Sequence, residues 1–237
     1  MATLSYLQSH RACASYLKRM PLFLRIFSYT LPVKKRESIS SVLAFSLFAE
    51  DGMVFAKTPG EKQAHLNNCL EILAGVYDQN GREFRNPIEP AFEQTIFRYG
   101  LPKKLFDRFL LGINMKFHRG EFSNTNELVD YAHHRKGSLF AIFSYFLDSV
   151  GSIKESAVAL GIALEINNLA KQMRPEFQKQ CKSIAEEYFL EGFKGISLLR
   201  PSRYRLLFTL VARIYGRRNG LLSEKPLAKH LALGNRS

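Results

Sequence analysis

Residues 37–51 read ESISSVLAFSLFAED, and their apolar side chains recur at helical spacing. On a helix, one stripe would contain Ile39, Val42, Leu43, Ser46, Leu47 and Glu50. Three serines, Ser38, Ser40 and Ser41, lie opposite this stripe at its start. The pattern predicts an amphipathic helix that ends in two acids, Glu50 and Asp51.

The same helical spacing continues along most of the chain. It predicts further helices at about 61–78, 88–99, 103–117, 125–148, 153–173, 177–192 and 204–217. Prolines and glycines separate these segments, and Ser152 with Glu155 has the spacing of a capping box at the start of the 153–173 helix. No stretch alternates between apolar and polar residues over five positions, as a strand would. We therefore predict one all-α domain over residues 1–237, with flexible ends at 1–20 and 219–237.

Composition and charge exclude several classes of protein. The chain has 237 residues, of which 46% are hydrophobic, so it can bury a sizeable core. Its net charge is +13, but residues 1–36 contain seven basic residues and no acid, and 200–237 contain nine basic residues and one acid. Residues 37–199 are therefore slightly acidic, with a net charge of −2. We expect no nucleic-acid partner, whereas the basic ends favour peripheral association with an anionic membrane.

Cysteine usage and hydropathy bear on the compartment. Cys13, Cys69 and Cys181 lie far apart and are odd in number, which indicates neither a disulfide framework nor a zinc site. The apolar run Leu22–Tyr29 is short and is interrupted by Arg25, so no membrane-spanning segment is predicted. We expect a cytoplasmic protein, peripheral to the membrane. The acid-free N-terminus is alternatively a mitochondrial transit peptide or the first helix of the fold.

Two clusters of polar residues are candidates for chemistry. Glu50 and Asp51 are adjacent carboxylates, which could hold Mg²⁺ for a phosphorylated ligand or simply end the helix in solvent. Asn168, Gln172 and Glu176 are spaced four apart and would share one face if the helix continued past Pro175. Buried amides that satisfy neighbouring backbone groups would explain the second row equally well.

Aromatic residues and histidines carry weaker signals. The 19 Phe and 10 Tyr residues are most simply core, and would also suit an apolar pocket for a prenyl chain. His133 and His134 are adjacent, about 100° apart on a helix, so we interpret them as surface residues and not as a metal pair.

Two segments resemble the squalene/phytoene synthase family, all-α enzymes that join two isoprenoid diphosphates head to head. The first comprises Phe27-Ser28-Tyr29-Thr30-Leu31-Pro32, Arg36, Val42-Leu43-Ala44-Phe45 and Ala49-Glu50-Asp51. The second comprises Leu160-Gly161 and Ala163-Leu164-Glu165-Ile166-Asn167-Asn168-Leu169, similar to the family's Leu-Gly-x-Ala-Leu-Gln-x-x-Asn-Ile. Segments 98–102, 127–131 and 203–215 fit the helices between and after them. The resemblance implies a helical bundle of the isoprenoid (terpenoid) synthase type with an apolar central cavity.

The resemblance also implies site residues. Family members hold Mg²⁺ ions between a prenyl diphosphate and two acidic motifs on facing helices. It assigns catalytic and metal-binding roles to Glu50 and Asp51, a metal-binding role to Glu176, and substrate contacts to Arg36, Phe45, Asn168 and Gln172. Two of the five acids that the family pattern expects are replaced, one by Val54 and one by Gln172.

These substitutions leave three hypotheses for the function. The first is a diverged family member that binds a prenyl diphosphate with weakened or lost prenyltransferase activity. The second is an active head-to-head prenyltransferase that uses farnesyl or geranylgeranyl diphosphate. The third is a non-catalytic assembly or interaction protein with a protein partner, as in a mitochondrial respiratory complex I assembly factor that resembles the family. Whether the chain is an enzyme is left open by the sequence.

Overall fold

The computed structural model describes most of the chain, and the described part is built from helices. The described residues are 6–19, 25, 28–29, 31–78, 83–118, 122–147, 153–199, 205, 209–210, 212–214, 216–217 and 219–221. The helices are α1 (Tyr6–Leu17), α2 (Val33–Phe55), α3 (Pro59–Asp78), α4 (Glu89–Tyr99), α5 (Lys103–His118), α6 (Thr125–Ala132), α7 (Ser138–Leu147), α8 (Lys154–Ala170) and α9 (Pro175–Gly195). No strand occurs within these ranges, and the all-α prediction is confirmed.

Local capping explains several of the boundaries. The Thr58 hydroxyl accepts a hydrogen bond from the Glu61 amide at 3.1 Å, while the Glu61 carboxylate accepts one from the Lys57 amide at 2.6 Å. This reciprocal arrangement satisfies the Glu61 amide in the first turn of α3 and the Lys57 amide just before the helix. At the other end of a helix, Gly100 closes α4 with a φ of 57°, a left-handed conformation that glycine adopts without strain.

The structure corrects four sequence predictions. The predicted 125–148 helix is divided, because a π-helical turn at His133–Gly137 separates α6 from α7. The helix that was predicted to end at Asp51 continues to Phe55, so the two acids lie inside α2. The predicted 153–173 helix ends at Ala170, and α9 begins at Pro175 and extends to Gly195. The capping box at Ser152 and most of the predicted 204–217 helix lie outside the described residues.

Flexibility was predicted for residues 1–20, and the structure describes the segment Tyr6–Leu17 within them. This segment is helix α1, and it packs against α2 and α4. The Ser9 hydroxyl accepts a hydrogen bond from the Ala91 amide at 2.9 Å, and His10 Nε2 lies 2.8 Å from Gln94 Oε1. These contacts make α1 part of the folded body. Residues 222–237 of the predicted flexible C-terminus lie outside the described residues.

Two apolar clusters form the main core. In the first, built mainly from α2 to α5 and α7, the rings of Phe45 and Phe92 stack at 4.4 Å and Phe106 packs edge-on against both. The second is built from α6, α8 and α9 and includes Ile166 and Phe189. Helix α8 packs against both α7 and α9, and so joins the two halves.

Helix α2 is the one described helix whose length and composition would allow it to cross a membrane. It has 23 residues and its most apolar window has a mean hydropathy of 1.3. The window is 44% buried inside the protein, and α2 packs against α1, α4 and α7. The core helix of a soluble protein passes the same test of length and composition as a membrane span.

Candidate functional site

A cavity of about 450 Å³ lies between the two halves of the bundle. Its apolar lining comes mainly from α2, α7 and α8, and includes Ile39, Leu43, Leu47, Leu139, Phe140, Phe143, Leu147, Leu160 and Leu164. Three of these, Ile39, Leu43 and Leu47, belong to the stripe predicted on α2. The expected apolar cavity is therefore present, and its volume is within the usual range for ligand sites of about 300–1,000 Å³.

A charged cluster adjoins the cavity, with Arg135 at its centre. The Arg135 guanidinium contacts Glu50 of α2 at 3.0 Å (Nη2 to Oε2) and also pairs with Glu165 of α8. Lys136 Nζ lies 3.3 Å from the other oxygen of Glu50. The side chain of Glu165 is only 2% exposed and that of Arg135 only 13%. Arg135 therefore links α2 and α8 through two ion pairs.

A second ion pair lies next to this cluster. Asp51 pairs with Arg19, which follows α1, through the two terminal guanidinium nitrogens, and the Nη2 to Oδ1 distance is 2.8 Å. Arg19 and Lys136 line the cavity, as does Glu165. Because Glu50 and Asp51 are adjacent in sequence, their two pairs bring these charged residues together beside the cavity. We call Arg19, Glu50, Asp51, Arg135, Lys136 and Glu165 the charged cluster.

Protonation states follow from these contacts. Burial alone would raise the pKa of Glu50, but Lys136 and Arg135 outweigh it and hold that pKa below its usual value. Burial alone would lower the pKa of Arg135, whereas Glu165 and Glu50 raise it well above its usual value. Burial raises the pKa of Tyr131, which neighbours the same groups. Glu50 is therefore ionised, and it lies beside a permanently charged guanidinium.

The π-helical turn fixes the position of Arg135 and Lys136. Two glycines allow neighbouring helices to approach its backbone. A Cβ atom at Gly112 of α5 would lie 2.6 Å from the Arg135 nitrogen, and one at Gly161 of α8 would meet the Lys136 carbonyl group. Such π-turns insert one residue into a helix and often occur at functional sites. Here the turn directs two consecutive cations towards the carboxylates of α2 and α8.

The structure separates the other residues that the sequence singled out. Asn168 is exposed and lines the cavity one turn after Glu165. Gln172 lies in the turn after α8 and Glu176 in the first turn of α9, and both are exposed. The condition for a common face of these three is not met, because Arg174 is extended and Pro175 begins a new helix.

Phe45 and Arg36 are not among the described residues that line the cavity. Phe45 is fully buried in the first core cluster, on the side of α2 that faces α4 and α5. Arg36 is half-buried, and its guanidinium carbon lies 5.3 Å from the centre of the Tyr29 ring. Direct substrate contact by either residue stays a prediction that this geometry does not favour.

The described residues do not fit a Mg²⁺ site of the kind that the resemblance implies. The carboxylates of Glu50, Asp51 and Glu165 are each engaged by a cationic side chain of the protein. Val54, in place of the third acid of the first motif, is 77% exposed. Within the described ranges, no group of three or more His, Cys, Asp or Glu residues could hold a metal ion. Mg²⁺ demands near-octahedral oxygen ligands, and oxygens already paired with guanidinium or ammonium groups do not offer them.

Sequence reasoning missed Arg19, Arg135 and Lys136. Basic residues carry no spacing signal for an ion pair between distant helices, and the π-turn that positions two of them was not predicted. Glu165 could have been noticed, because it is an acid within the apolar run Ala163 to Ile166, at a place where the family pattern has Gln. His133 and His134, interpreted as surface residues, are both half-buried, and His134 Nδ1 lies 2.9 Å from the Asp130 carbonyl oxygen.

The sequence of this chain was compared with protein families and with known proteins. The sequence matches the family model described as squalene/phytoene synthase over residues 26–181. No curated protein sequence matches the chain.

Several solved structures share the fold. A dehydrosqualene synthase in complex with ligand is 18% identical, with a TM-score of 0.76, over 94% of this chain and 91% of that chain. Squalene synthase HpnC from Alicyclobacillus acidocaldarius is 18% identical, with a TM-score of 0.67, over 89% of this chain and 94% of that chain. YisP from Bacillus subtilis subsp. subtilis strain 168 is 14% identical, with a TM-score of 0.59, over 96% of both chains. At these identities the likeness concerns the fold alone.

Proposed function

Because this chain belongs to the squalene/phytoene synthase family, we propose that it binds a prenyl diphosphate in its central cavity and that its prenyltransferase activity is weak or absent. The observation that carries the proposal is the pairing of Glu50, Asp51 and Glu165 with cations of the protein beside an intact apolar cavity. The cavity supports ligand binding, and the pairing argues against the metal chemistry of the family.

The apolar lining supports binding through the prenyl chain. Side chains from α2, α7 and α8 offer a continuous hydrocarbon surface, and each buried CH₂ group of a ligand contributes about 0.8 kcal/mol. Polar groups of Asn168 and Lys136 also line the cavity and could orient the head group. An apolar pocket with a few polar groups is the usual form of a small-molecule site.

The charged cluster argues for weak catalysis. In the family reaction the diphosphate leaves as an anion, and metal ions stabilise its developing charge by several kcal/mol. Arg135 keeps Glu50 paired even when Lys136 turns to a ligand, so a metal ion would have to compete with a buried guanidinium for this carboxylate. Each ~1.4 kcal/mol lost from transition-state stabilisation lowers the rate tenfold. Loss of the metal contribution would therefore slow ionisation of the substrate by orders of magnitude.

A turnover assay combined with a binding assay tests the proposal. The purified full-length chain is incubated with Mg²⁺ and farnesyl or geranylgeranyl diphosphate, and release of pyrophosphate and formation of C30 or C40 products are measured. Titration calorimetry with farnesyl thiodiphosphate, which ionises poorly, measures binding separately. We expect saturable binding with little or no product.

Two results would contradict this proposal. Efficient product formation that disappears in Glu50→Ala plus Asp51→Ala would show an active prenyltransferase. If neither prenyl ligand binds, the result would instead favour an assembly or interaction role on the same scaffold. The next step would then be to identify the protein partner.

A further inference from the structure

We infer that Lys136 and Arg19 bind the phosphate groups of the isoprenoid directly, so that ligand binding requires no divalent cation. This inference rests on the proposed function, because it concerns the head group of the ligand in the same cavity. It departs from the metal-bridged arrangement that the family resemblance implies.

The charges that face the cavity favour an anion. Among the described residues that line it, Arg19 and Lys136 are cationic and Glu165 is anionic. Glu165 already pairs with Arg135, which is not among the described residues of the lining. Glu50 and Asp51 are also absent from the described lining. An anionic head group would therefore meet two cationic side chains and one carboxylate that is already paired.

Lys136 and Arg19 can both bind a ligand without leaving a buried charge unpaired. Lys136 is 3.3 Å from Glu50, but Glu50 also has Arg135 at 3.0 Å and would keep that partner. Arg19 and Asp51 form an exposed pair, with side-chain exposures of 47% and 28%, and such pairs contribute little to stability. A phosphate group can therefore replace Glu50 at Lys136 and Asp51 at Arg19 at low cost.

Arg135 is a fixed internal cation. It neutralises two carboxylates on facing helices, which is what a metal ion would otherwise do there, and it is held by the packing of Gly112 and Gly161 on the π-turn. Arg135 itself is not among the described residues that line the cavity, and its two terminal nitrogens face Glu165 and Glu50. Lys136 and Arg19 therefore make the phosphate contacts.

The test is a set of calorimetric titrations of the full-length chain with farnesyl thiodiphosphate and with farnesol, each in EDTA and in Mg²⁺. We expect the thiodiphosphate affinity to be the same within about twofold in the two buffers, and at least about tenfold greater than that of farnesol. Lys136→Gln and Arg19→Gln should each weaken thiodiphosphate binding by about tenfold and leave farnesol binding unchanged. Lys194→Gln is the matched control, because Lys194 is an exposed lysine that pairs with Glu191 on α9, and it should change neither affinity.

The possible results separate the inference from the proposed function. Loss of thiodiphosphate binding in EDTA would overturn the inference and leave the proposed function intact. Equal affinities for farnesol and thiodiphosphate, or no effect of the two substitutions, would also overturn it, while prenyl-chain binding would stand. Failure of both ligands to bind would overturn the proposed function itself. Circular dichroism of each variant confirms that a lost affinity does not come from unfolding.

Discussion

At the scale of single residues, Glu50 shows how neighbours determine the chemistry of a side chain. The sequence presents it as one of two helix-terminal acids, free to hold a metal ion. In the structure it lies inside α2, and Arg135 and Lys136 contact its two oxygens. These cations lower its pKa despite burial, so Glu50 stays ionised and its pairing contributes to stability.

This arrangement predicts a measurable dependence of stability on pH. Because the folded-state pKa of Glu50 is below its unfolded value, its contribution is complete above the unfolded pKa and is lost as the pH falls through the folded one. We expect the free energy of unfolding of the native protein to fall more steeply than that of Glu50→Gln between about pH 5 and pH 3. Urea unfolding at a series of pH values measures this difference.

The control for this experiment is Glu186→Gln, at an exposed position of α9. Its curve should run parallel to that of the native protein. Comparing differences between variants removes the contribution of His133, whose pKa burial lowers and which also titrates as the pH falls. Parallel curves for the native protein and Glu50→Gln would show that Glu50 is not stabilised by the charged cluster.

Single residues of the site were only partly predictable. The stripe with Leu43 and Leu47 was found because helical periodicity marks an apolar face, and that face lines the cavity. Phe45 was assigned to the substrate by resemblance, yet it is fully buried against Phe92, because a helix with two apolar sides does not reveal which one faces a cavity. Arg135 was not found, since a pair between residues 30 positions apart depends on tertiary structure alone.

At the scale of elements, the π-helical turn at His133–Gly137 is the feature that organises the charged cluster. It interrupts what the apolar pattern presents as one helix over 125–148. The extra residue has no signature in the apolar periodicity, and α5 and α8 approach the backbone of the turn closely at Gly112 and Gly161. Boundaries marked by local chemistry were easier, as with α5, predicted over 103–117 and observed at Lys103–His118.

The packing of this turn predicts that Gly161→Ala destabilises the protein. The added methyl group would meet the Lys136 carbonyl group, and both backbones would have to move apart. Overpacking of this kind costs about 1–3 kcal/mol in the free energy of unfolding. Gly60→Ala is the matched control, because nothing lies within 4 Å of a Cβ atom there.

Urea unfolding of both variants measures the effect, and we expect Gly60→Ala to be nearly neutral. Gly161→Ala should also weaken binding of farnesyl thiodiphosphate, because Lys136 would shift with its backbone. Equal stabilities for the two variants would show that the turn adapts and does not require Gly161.

At the scale of the whole molecule, the two core clusters leave a cavity between them that neither fills. Helices α2 and α7 form one wall, and α8 with the end of α9 forms the other. Each half has its own buried aromatic residues, so the fold does not need the cavity to be filled. The composition predicted a core large enough for this, but the position and volume of a cavity depend on how helices pack and could not be read from the sequence.

A substitution that fills the cavity should separate binding from stability. Leu164→Phe adds volume to a partly buried side chain of the cavity wall, so we expect it to weaken prenyl ligand binding by at least about tenfold. Stability should change little, because the ring has space to enter. Leu111→Phe, at a position that is 48% exposed on α5, makes the same chemical change away from the cavity and should leave binding unaltered.

Calorimetric titration with farnesyl thiodiphosphate and urea unfolding of both variants provide the two measurements. Unchanged ligand binding in Leu164→Phe would show that the ligand binds outside the cavity. The same conclusion would follow if Leu111→Phe weakened binding as much as Leu164→Phe does.

The three cysteines give this molecule built-in reporters of local opening. Cys13 lies in α1, Cys69 in α3 and Cys181 in α9, and all three thiols are free and buried. Burial raises the pKa of Cys13 and Cys69 to about 12, so both are protonated and shielded from alkylating reagents while the helices stay packed. The rate of alkylation at each cysteine would therefore be limited by how often that part of the bundle opens. Mass spectrometry of the modified peptides would measure the local opening of α1, α3 and α9 separately, without any introduced label.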